Sequence, residues 1–345
     1  MEEKFFGFYT ARSFWVGDAQ SVQKRLAEAQ DGSNESNIGL TELMIQEALT
    51  YETDDYVLKV CKDGMFLFKL KQGFRAPDKN RDAYDRQLTY LDYLNCIYLL
   101  FQTAVLQLPD IQYLEVSEVT DKDVFLVKFE ADKFLGCFAP RLSFAHRFQT
   151  VQLSPDYRYA DNLETPRLEL PESIFSALNT NLAVVCKEYR SIKTLSEITK
   201  GLCECKFGNY ANCLLSLWML IESYLSGFWS SLIESKNTVF EDGSKRIKSE
   251  RMKHLRDGRV YSASVVSNIL ELFDLLDLET FRKIEKVRDL RNQIIHRDEK
   301  APCKLEHCQT AFEIVREFVA QETEVSLNFD LTSLLLDPIH SPTPN

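Results

Sequence analysis

Apolar residues recur at helical spacing through almost the whole second half of the chain, from Glu172 to residue 323. Pro171, Glu172 and Ser173 suit the start of a helix, because proline is tolerated where the backbone N–H groups have no intrahelical acceptor. The spacing predicts five helices, near residues 172–200, 207–235, 262–276, 279–296 and 303–323. The second half is therefore expected to be an all-α region.

Residues 1–167 have a mixed pattern instead. Short segments rich in β-branched and aromatic residues predict two pairs of strands, at residues 56–60 with 65–70 and at residues 113–119 with 124–129. Lys62-Asp63-Gly64 joins the first pair as a hairpin turn, and residues 120–123 join the second. A helix is predicted between the pairs, at residues 81–106. This part of the chain is expected to be α+β.

A length of 345 residues suits two domains. The patterns divide the chain into an α+β domain at residues 1–167, a helical domain at 168–325 and a tail at 326–345. Residues 154–171, which contain three prolines, are expected to link the domains, and the end of the tail from Asp337 is expected to be loosely held. The α+β domain has no motif with evident chemistry, so we expect a sensor or regulatory role that responds to a partner or trigger.

The net charge is −11, so any nucleic-acid site must be a local basic segment in a chain that repels nucleic acid on average. The nine cysteines follow no regular framework, and the first residues do not resemble a signal peptide. The longest apolar run, residues 94–108, is interrupted by polar side chains and is too short to span a membrane. We therefore expect a cytoplasmic protein with reduced thiols and no membrane partner.

The fourth predicted helix ends in Arg291-Asn292-Gln293-Ile294-Ile295-His296. At about 100° per residue, Arg291 falls within an apolar stripe formed by Ile284, Val287, Ile294 and Ile295. A guanidinium keeps its charge and is costly to bury alone. Arg291 must therefore have a carboxylate partner, an interface or a bound anion.

A polar stripe runs beside the apolar one, with Arg288, Asn292 and His296 at successive intervals of four residues. Arg291 and His296 are about 140° apart on an ideal helix, so they do not face each other. Two copies of this helix related by a twofold axis can still bring two such sets into one cleft.

These residues resemble the R-x4-H signature of HEPN domains, including the asparagine directly after the arginine. The apolar helix at residues 214–225, with Glu222 embedded in it, is also similar to the family. One toxin branch has a tyrosine two residues after the histidine, and Asp298 stands there in this chain. The resemblance implies a helical bundle that dimerises through the motif helices. It also implies metal-independent endoribonuclease activity, as in toxin–antitoxin and anti-phage defence systems.

The side chains suit that chemistry. RNA carries its own nucleophile in the 2′-hydroxyl, and an imidazole such as that of His296 can exchange protons near neutral pH. Arg291 can hold the phosphate, Asn292 can orient it, and Arg288 and Glu222 are expected to support the site. The products would carry 2′,3′-cyclic phosphate ends, DNA would not be cut, and no cofactor is needed.

Two other interpretations remain open. Arg291 could pair with Glu222 inside the bundle, with His296 placed only where a helix C-terminus favours it. The second half could also be a HEPN-like dimer that holds RNA or a protein partner without turnover.

Residues 244–259 form a basic segment with seven cations and two carboxylates. The cations are Lys245, Arg246, Lys248, Arg251, Lys253, Arg256 and Arg259. This segment and His254 could steer RNA, or the segment could be a solvated loop or helix. It contains no aromatic residue, so base stacking is not supported there.

Several cysteines and a histidine lie near the ends of predicted helices: Cys203, Cys205, Cys213, Cys303, His307 and Cys308. Their spacing differs from the usual Cys-x2-Cys of zinc sites, so packing as small hydrophobic residues is favoured and no metal is expected. No glycine-rich phosphate loop is present among the 12 glycines.

Overall fold

The computed structural model describes residues 2–12, 14–18, 46–71, 83–130, 133–138, 168–296 and 303–334. A β-sheet region is followed by a helical region, as the sequence predicts. The chain forms two compact units, Met1–Thr199 with Ser333–Leu335 and Lys200–Thr332. The units therefore divide at residue 199, whereas the sequence patterns suggest a boundary near residue 167.

The first unit is built on a six-stranded sheet with the order β3-β4-β5-β1-β6-β7, and a two-stranded parallel pair, β2-β8. The strands are β1 (Glu2–Phe8), β2 (Phe14–Val16), β3 (Glu47–Glu52), β4 (Tyr56–Cys61), β5 (Phe66–Leu70), β6 (Phe125–Glu130), β7 (Lys133–Phe138) and β8 (Leu168–Leu170). The neighbours in the large sheet are all antiparallel.

The predicted hairpin around Lys62-Asp63-Gly64 is confirmed, because β4 and β5 pair across it. Gly64 has a φ of +88°, which side chains rarely allow. A Cβ at this position would also lie 2.9 Å from the backbone oxygen of Phe14. Glycine is therefore required here by both conformation and space.

The second predicted strand pair is wrong. Residues 113–119 form only an isolated bridge at Leu114, and β6 pairs with β1 and β7 instead. The buried Asn95 side chain accepts a hydrogen bond from the Val119 N–H (2.8 Å) and donates one to its carbonyl (2.9 Å). A side chain thus takes the place of a partner strand.

The predicted helix at residues 81–106 is confirmed as α1 (Ala83–Val105), which packs against α2 (Glu172–Val185). Rings from both helices meet rings of the strands in one aromatic core. Phe101 lies 5.0 Å from Phe14, 5.0 Å from Phe66 and 5.8 Å from Phe175, between ring centroids. The first helix of the predicted helical domain therefore completes the core of the sheet unit.

The remaining helices are α3 (Tyr189–Lys206), α4 (Tyr210–Lys236), α5 (Ser249–Leu255), α6 (Ala263–Leu272), α7 (Leu278–Ile295) and α8 (Leu305–Thr323). The segment predicted as one helix at residues 172–200 is two helices, α2 and α3, because the chain turns at residues 186–188. No glycine or proline marks this turn. The basic segment contains the short helix α5, which the helical spacing does not reveal.

The core of the second unit lies between α4, α7 and α8, with α6 against α4 and α7. The tilted rings of Tyr224 and Phe318 pack at 5.3 Å between centroids, and Ile284 and Val287 of α7 are buried. No helix in the described ranges is long and apolar enough to cross a membrane. The predicted linker before residue 168 and the tail from Asp337 lie outside the described residues.

Candidate functional site

Helix α7 places the R-x4-H motif at its C-terminal end. Asp277 caps the other end, where its side chain accepts a hydrogen bond from the Thr280 N–H at 2.9 Å. His296 directly follows the last helical residue, Ile295, and its backbone N–H donates to the Asn292 carbonyl at 3.0 Å. The predicted helix at residues 279–296 therefore exists with the motif in its last turns.

Arg291 is half-buried and keeps an unmatched guanidinium. One of its terminal nitrogens, Nη1, donates to the Asn292 side-chain oxygen at 3.0 Å. Its Nε is buried and has no hydrogen-bond partner among the described residues. Glu222, also half-buried, forms no ion pair with Arg291 in the described part of the chain. A buried donor on a permanent cation favours an anionic acceptor.

His296 is exposed at the end of α7. Asn292 contacts both motif residues, through its side chain to Arg291 and through its backbone to His296. The described residues include no hydrogen bond between the Arg291 and His296 side chains. The structure thus brings Arg291 and Asn292 together within one chain and leaves His296 facing solvent.

Arg288 is held by its own chain. Its guanidinium contacts Glu285 at 2.5 Å, Asp289 at 3.2 Å and the hydroxyl of Ser264 on α6. These contacts join α6 to α7 beside the motif. Arg288 can therefore position α7, while its charge is already matched by two carboxylates.

All the cations of the basic segment are exposed, as is His254. Arg256 pairs with Glu234 at 2.6 Å and Arg259 pairs with Asp257 at 3.1 Å. Both pairs are near the surface and hold their cations only weakly. The segment therefore presents a solvated basic surface.

Aromatic side chains from outside the basic segment pack beside it. Trp229 and Tyr261 stack at 5.1 Å between ring centroids, and the Trp229 indole N–H donates to the Leu255 carbonyl at 2.7 Å. The exposed Phe240 lies in a hairpin where Val239 bridges to Lys245. The sequence pattern did not indicate these rings because they lie outside residues 244–259, although Tyr261 follows Arg259 by two positions.

The cysteines dismissed from their spacing are brought together by the fold. The thiols of Cys205, Cys213 and Cys308 interact with one another, and the thiol of Cys303 interacts with that of Cys308. His307 is used differently, since its Nδ1 accepts from the Lys304 N–H at 3.2 Å. The four thiols form a cluster that spacing along the sequence did not indicate.

No protein-family model, curated protein or solved structure matches the chain significantly. A functional hypothesis therefore depends on the residues described above.

Proposed function

We propose that this protein is a metal-independent endoribonuclease of HEPN type, with Arg291, Asn292 and His296 as its catalytic residues. It would act in a toxin or anti-phage defence role, and the sheet-containing region would sense a trigger. The observation that carries the proposal is the Nε of Arg291, which is buried in an R-x4-H motif and has no hydrogen-bond partner within the described ranges. A guanidinium that is free to take an anion suits a phosphodiester substrate.

The residues divide the reaction between them. The 2′-oxygen of RNA attacks the adjacent phosphorus, so the O2′–P bond forms and the P–O5′ bond breaks. One imidazole takes the 2′-hydroxyl proton, and an imidazolium returns a proton to the departing 5′-oxygen. Arg291 offsets the charge that builds on the non-bridging oxygens, and Asn292 fixes the guanidinium through its 3.0 Å contact.

A dimer would bring an arginine and a histidine to the same phosphate, which a single copy of α7 does not do. Arg291 and His296 diverge by about 140° on α7, so a cleft lined by two copies is needed to bring both groups to one phosphate. Exposed apolar side chains at the corner between α6 and α7 favour self-association. They are Leu272 (77% exposed), Phe273, Leu275 and Leu278, and Ile295 is exposed at the other end of α7.

The basic surface would bind the RNA strand. Lys245, Arg246, Lys248, Arg251 and Lys253 are exposed and form no ion pair among the described residues. Phe240 is exposed in the hairpin that bridges to Lys245, and an exposed ring beside cations suits unpaired bases better than duplex RNA.

The proposal is tested by incubating the purified full chain with total RNA in EDTA and following fragment sizes. Wild-type protein is expected to cut RNA and leave DNA intact, whereas Arg291→Ala and His296→Ala proteins should not cut. Arg282→Ala is the matched control, because Arg282 is an exposed arginine on the same helix. Cleavage that persists in both motif variants would refute the site. Binding of RNA without cleavage by wild-type protein would favour a non-catalytic HEPN-like dimer.

A further inference from the structure

A short hairpin at residues 238–246, between α4 and α5, holds an aromatic ring in solvent. Val239 bridges to Lys245 in the antiparallel sense, and the Phe240 N–H donates to the Ser244 carbonyl at 2.8 Å. The Phe240 side chain is 55% exposed although phenylalanine is a residue that folding usually buries. The hairpin therefore presents this ring to whatever approaches the basic segment.

Hydrogen bonds within the hairpin and at its base fix its shape. The Asp242 side chain accepts from the Ser244 N–H at 2.9 Å and from the Ser244 hydroxyl at 2.6 Å, and Gly243 supplies a φ of +78° to the turn. At the base, the Asn237 side-chain oxygen accepts from the N–H of the buried Ile247 at 2.8 Å. The ring is therefore held ready for a ligand, and binding would not have to order a loose loop.

The hairpin places Phe240 and an arginine on the same face. A second backbone hydrogen bond runs from the Arg246 N–H to the Thr238 carbonyl at 2.9 Å, so the hydrogen bonds flank the pair of Val239 and Lys245. Residues paired in this way stand directly opposite with their side chains on one face. Successive side chains alternate between faces, so Phe240 and Arg246 fall on the other. Diagonal neighbours of this kind lie within reach of aromatic and long side chains.

The charges around the ring favour a nucleic-acid strand over an anionic lipid surface. The exposed cations Lys245, Arg246 and Lys248 follow the ring, whereas the tip of the hairpin carries the exposed carboxylates of Glu241 and Asp242. A flat anionic membrane that took up the ring would also meet these carboxylates, and like charges repel. A flexible single strand can instead place its phosphates over the cations and an uncharged base over the ring.

We propose that Phe240 stacks on one unpaired base of the RNA while Arg246 binds a nearby phosphate, which makes the protein selective for single-stranded RNA. This inference rests on the proposed function for its ligand and specifies the form of RNA that is bound. A duplex keeps its base faces stacked on one another and can offer only phosphates to Arg246. Phe240 is therefore a specificity-determining residue, and Arg246 contributes affinity for either form.

The test is the binding of fluorescently labelled RNA to the full chain, followed by fluorescence anisotropy. Every nucleotide of the probe carries a 2′-O-methyl group, so binding is measured whether or not the protein cuts RNA. Wild-type protein is expected to bind the single strand more tightly than a duplex of the same sequence. Phe240→Ala should raise the Kd for the single strand by about tenfold and leave the Kd for the duplex unchanged, because stacking of one base on a ring contributes at this level.

Matched variants separate stacking from the loss of apolar bulk. Phe240→Trp should bind the single strand at least as tightly as wild type, whereas Phe240→Leu should be as weak as Phe240→Ala, since leucine offers no ring face. Val239→Ala, on the opposite face of the hairpin, should stay within about twofold of wild type. Arg246→Ala should weaken binding of the single strand and the duplex alike and reduce the dependence on salt.

The inference is overturned if Phe240→Ala or Phe240→Leu binds the single strand as tightly as wild type. It is also overturned if the protein binds vesicles that contain anionic lipid but binds neither form of RNA. Selective binding through Phe240 by a protein that cuts no RNA would refute the ribonuclease and support this inference. RNA cleavage that depends on Arg291, with an affinity for the single strand that Phe240→Ala does not change, would do the reverse.

Discussion

No carboxylate among the described residues pairs with the Arg291 guanidinium. The neighbouring Arg288 differs in this respect. Arg288, one turn earlier, pairs with Glu285 and Asp289. Among the described residues, Arg291 contacts the neutral Asn292 amide, and its Nε has no hydrogen-bond partner there. A bound phosphate would supply the missing acceptor in the bidentate manner that guanidinium groups favour.

Arg291→Lys protein is expected to be as inactive in RNA cleavage as Arg291→Ala protein. An ammonium keeps the charge but cannot contact two phosphate oxygens and Asn292 at once, so both Arg291→Lys and Arg291→Ala should lower kcat by about 100-fold or more. Single-turnover cleavage of a defined RNA measures the effect. Arg282→Ala should stay within about twofold of wild type, since exposed sites away from the reaction contribute little. Full activity in Arg291→Lys would mean that only the charge matters.

The sequence identified these motif residues because their relation is local. Arg291, Asn292 and His296 lie within two turns of one helix, and helical periodicity gives their directions. The thiol cluster could not be found in this way. It depends on contact between α3, α4 and α8, and no spacing along the chain encodes the distance from Cys213 to Cys303.

Helix α7 carries Arg291 and Asn292 and ends directly before His296, so its stability matters to the site. Asp277 caps the N-terminal end of this helix. Hydrogen bonds from the Thr280 N–H and hydroxyl hold the pKa of Asp277 below its ordinary value of 3.8. A carboxyl whose pKa falls on folding stabilises the protein above the unfolded pKa and loses this effect as the pH falls through the folded pKa.

We therefore expect Asp277→Ala to lower the free energy of unfolding by about 1 kcal/mol near neutral pH. The difference from wild type should shrink as the pH is lowered below about 4, where the carboxyl becomes protonated. Urea unfolding followed by circular dichroism measures both. Asp277→Asn keeps an acceptor oxygen, so its loss near neutral pH should be smaller than that of Asp277→Ala. The difference between the two variants should not change with pH, because neither replacement titrates. If Asp277→Ala lowers the free energy of unfolding by the same amount near neutral pH and below about pH 4, the capping role of the Asp277 carboxylate is contradicted.

The sequence predicted helices correctly where apolar residues recur at helical spacing over many turns. It predicted a strand wrongly where a side chain, and not a neighbouring strand, makes the backbone hydrogen bonds. The helices from 207 to 323 appear near their predicted positions because their apolar faces pack on one another. Residues 113–119 look like a strand, but the Asn95 amide satisfies Val119, and Leu114 pairs with residues 333–334. The turn at residues 186–188 separates α2 from α3 without glycine or proline, so no residue pattern predicts it.

At the scale of the whole molecule, function is expected to need two chains. The corner between α6 and α7 exposes Leu272, Phe273, Leu275 and Leu278. Leu272→Asp should leave folding almost unchanged, because Leu272 is 77% exposed, but should convert a dimer to a monomer and abolish cleavage. Light scattering after size-exclusion chromatography measures the mass. Val239→Asp, also at an exposed apolar residue, is the control that should remain dimeric. A wild-type monomer that cleaves RNA would refute this expectation.

A mixture of two inactive variants tests whether one cleft takes Arg291 from one chain and His296 from the other. Chains with Arg291→Ala and chains with His296→Ala, unfolded and refolded together, form mixed dimers with one intact set split between subunits. Because the two groups diverge on a single α7, partial recovery of cleavage is expected. Mixed dimers that are shown by tagged pull-down to form, yet remain inactive, would contradict the shared cleft.

The most direct measurement is the chemistry of the RNA ends left by wild-type protein in EDTA. A short RNA should give a 2′,3′-cyclic phosphate on one fragment and a 5′-hydroxyl on the other, identified by mass spectrometry. The same RNA with a 2′-O-methyl group at the cleaved nucleotide should stay intact, because the nucleophile is blocked. Cleavage of the methylated RNA, 5′-phosphate ends, or unchanged products from His296→Ala protein would contradict cleavage by Arg291 and His296.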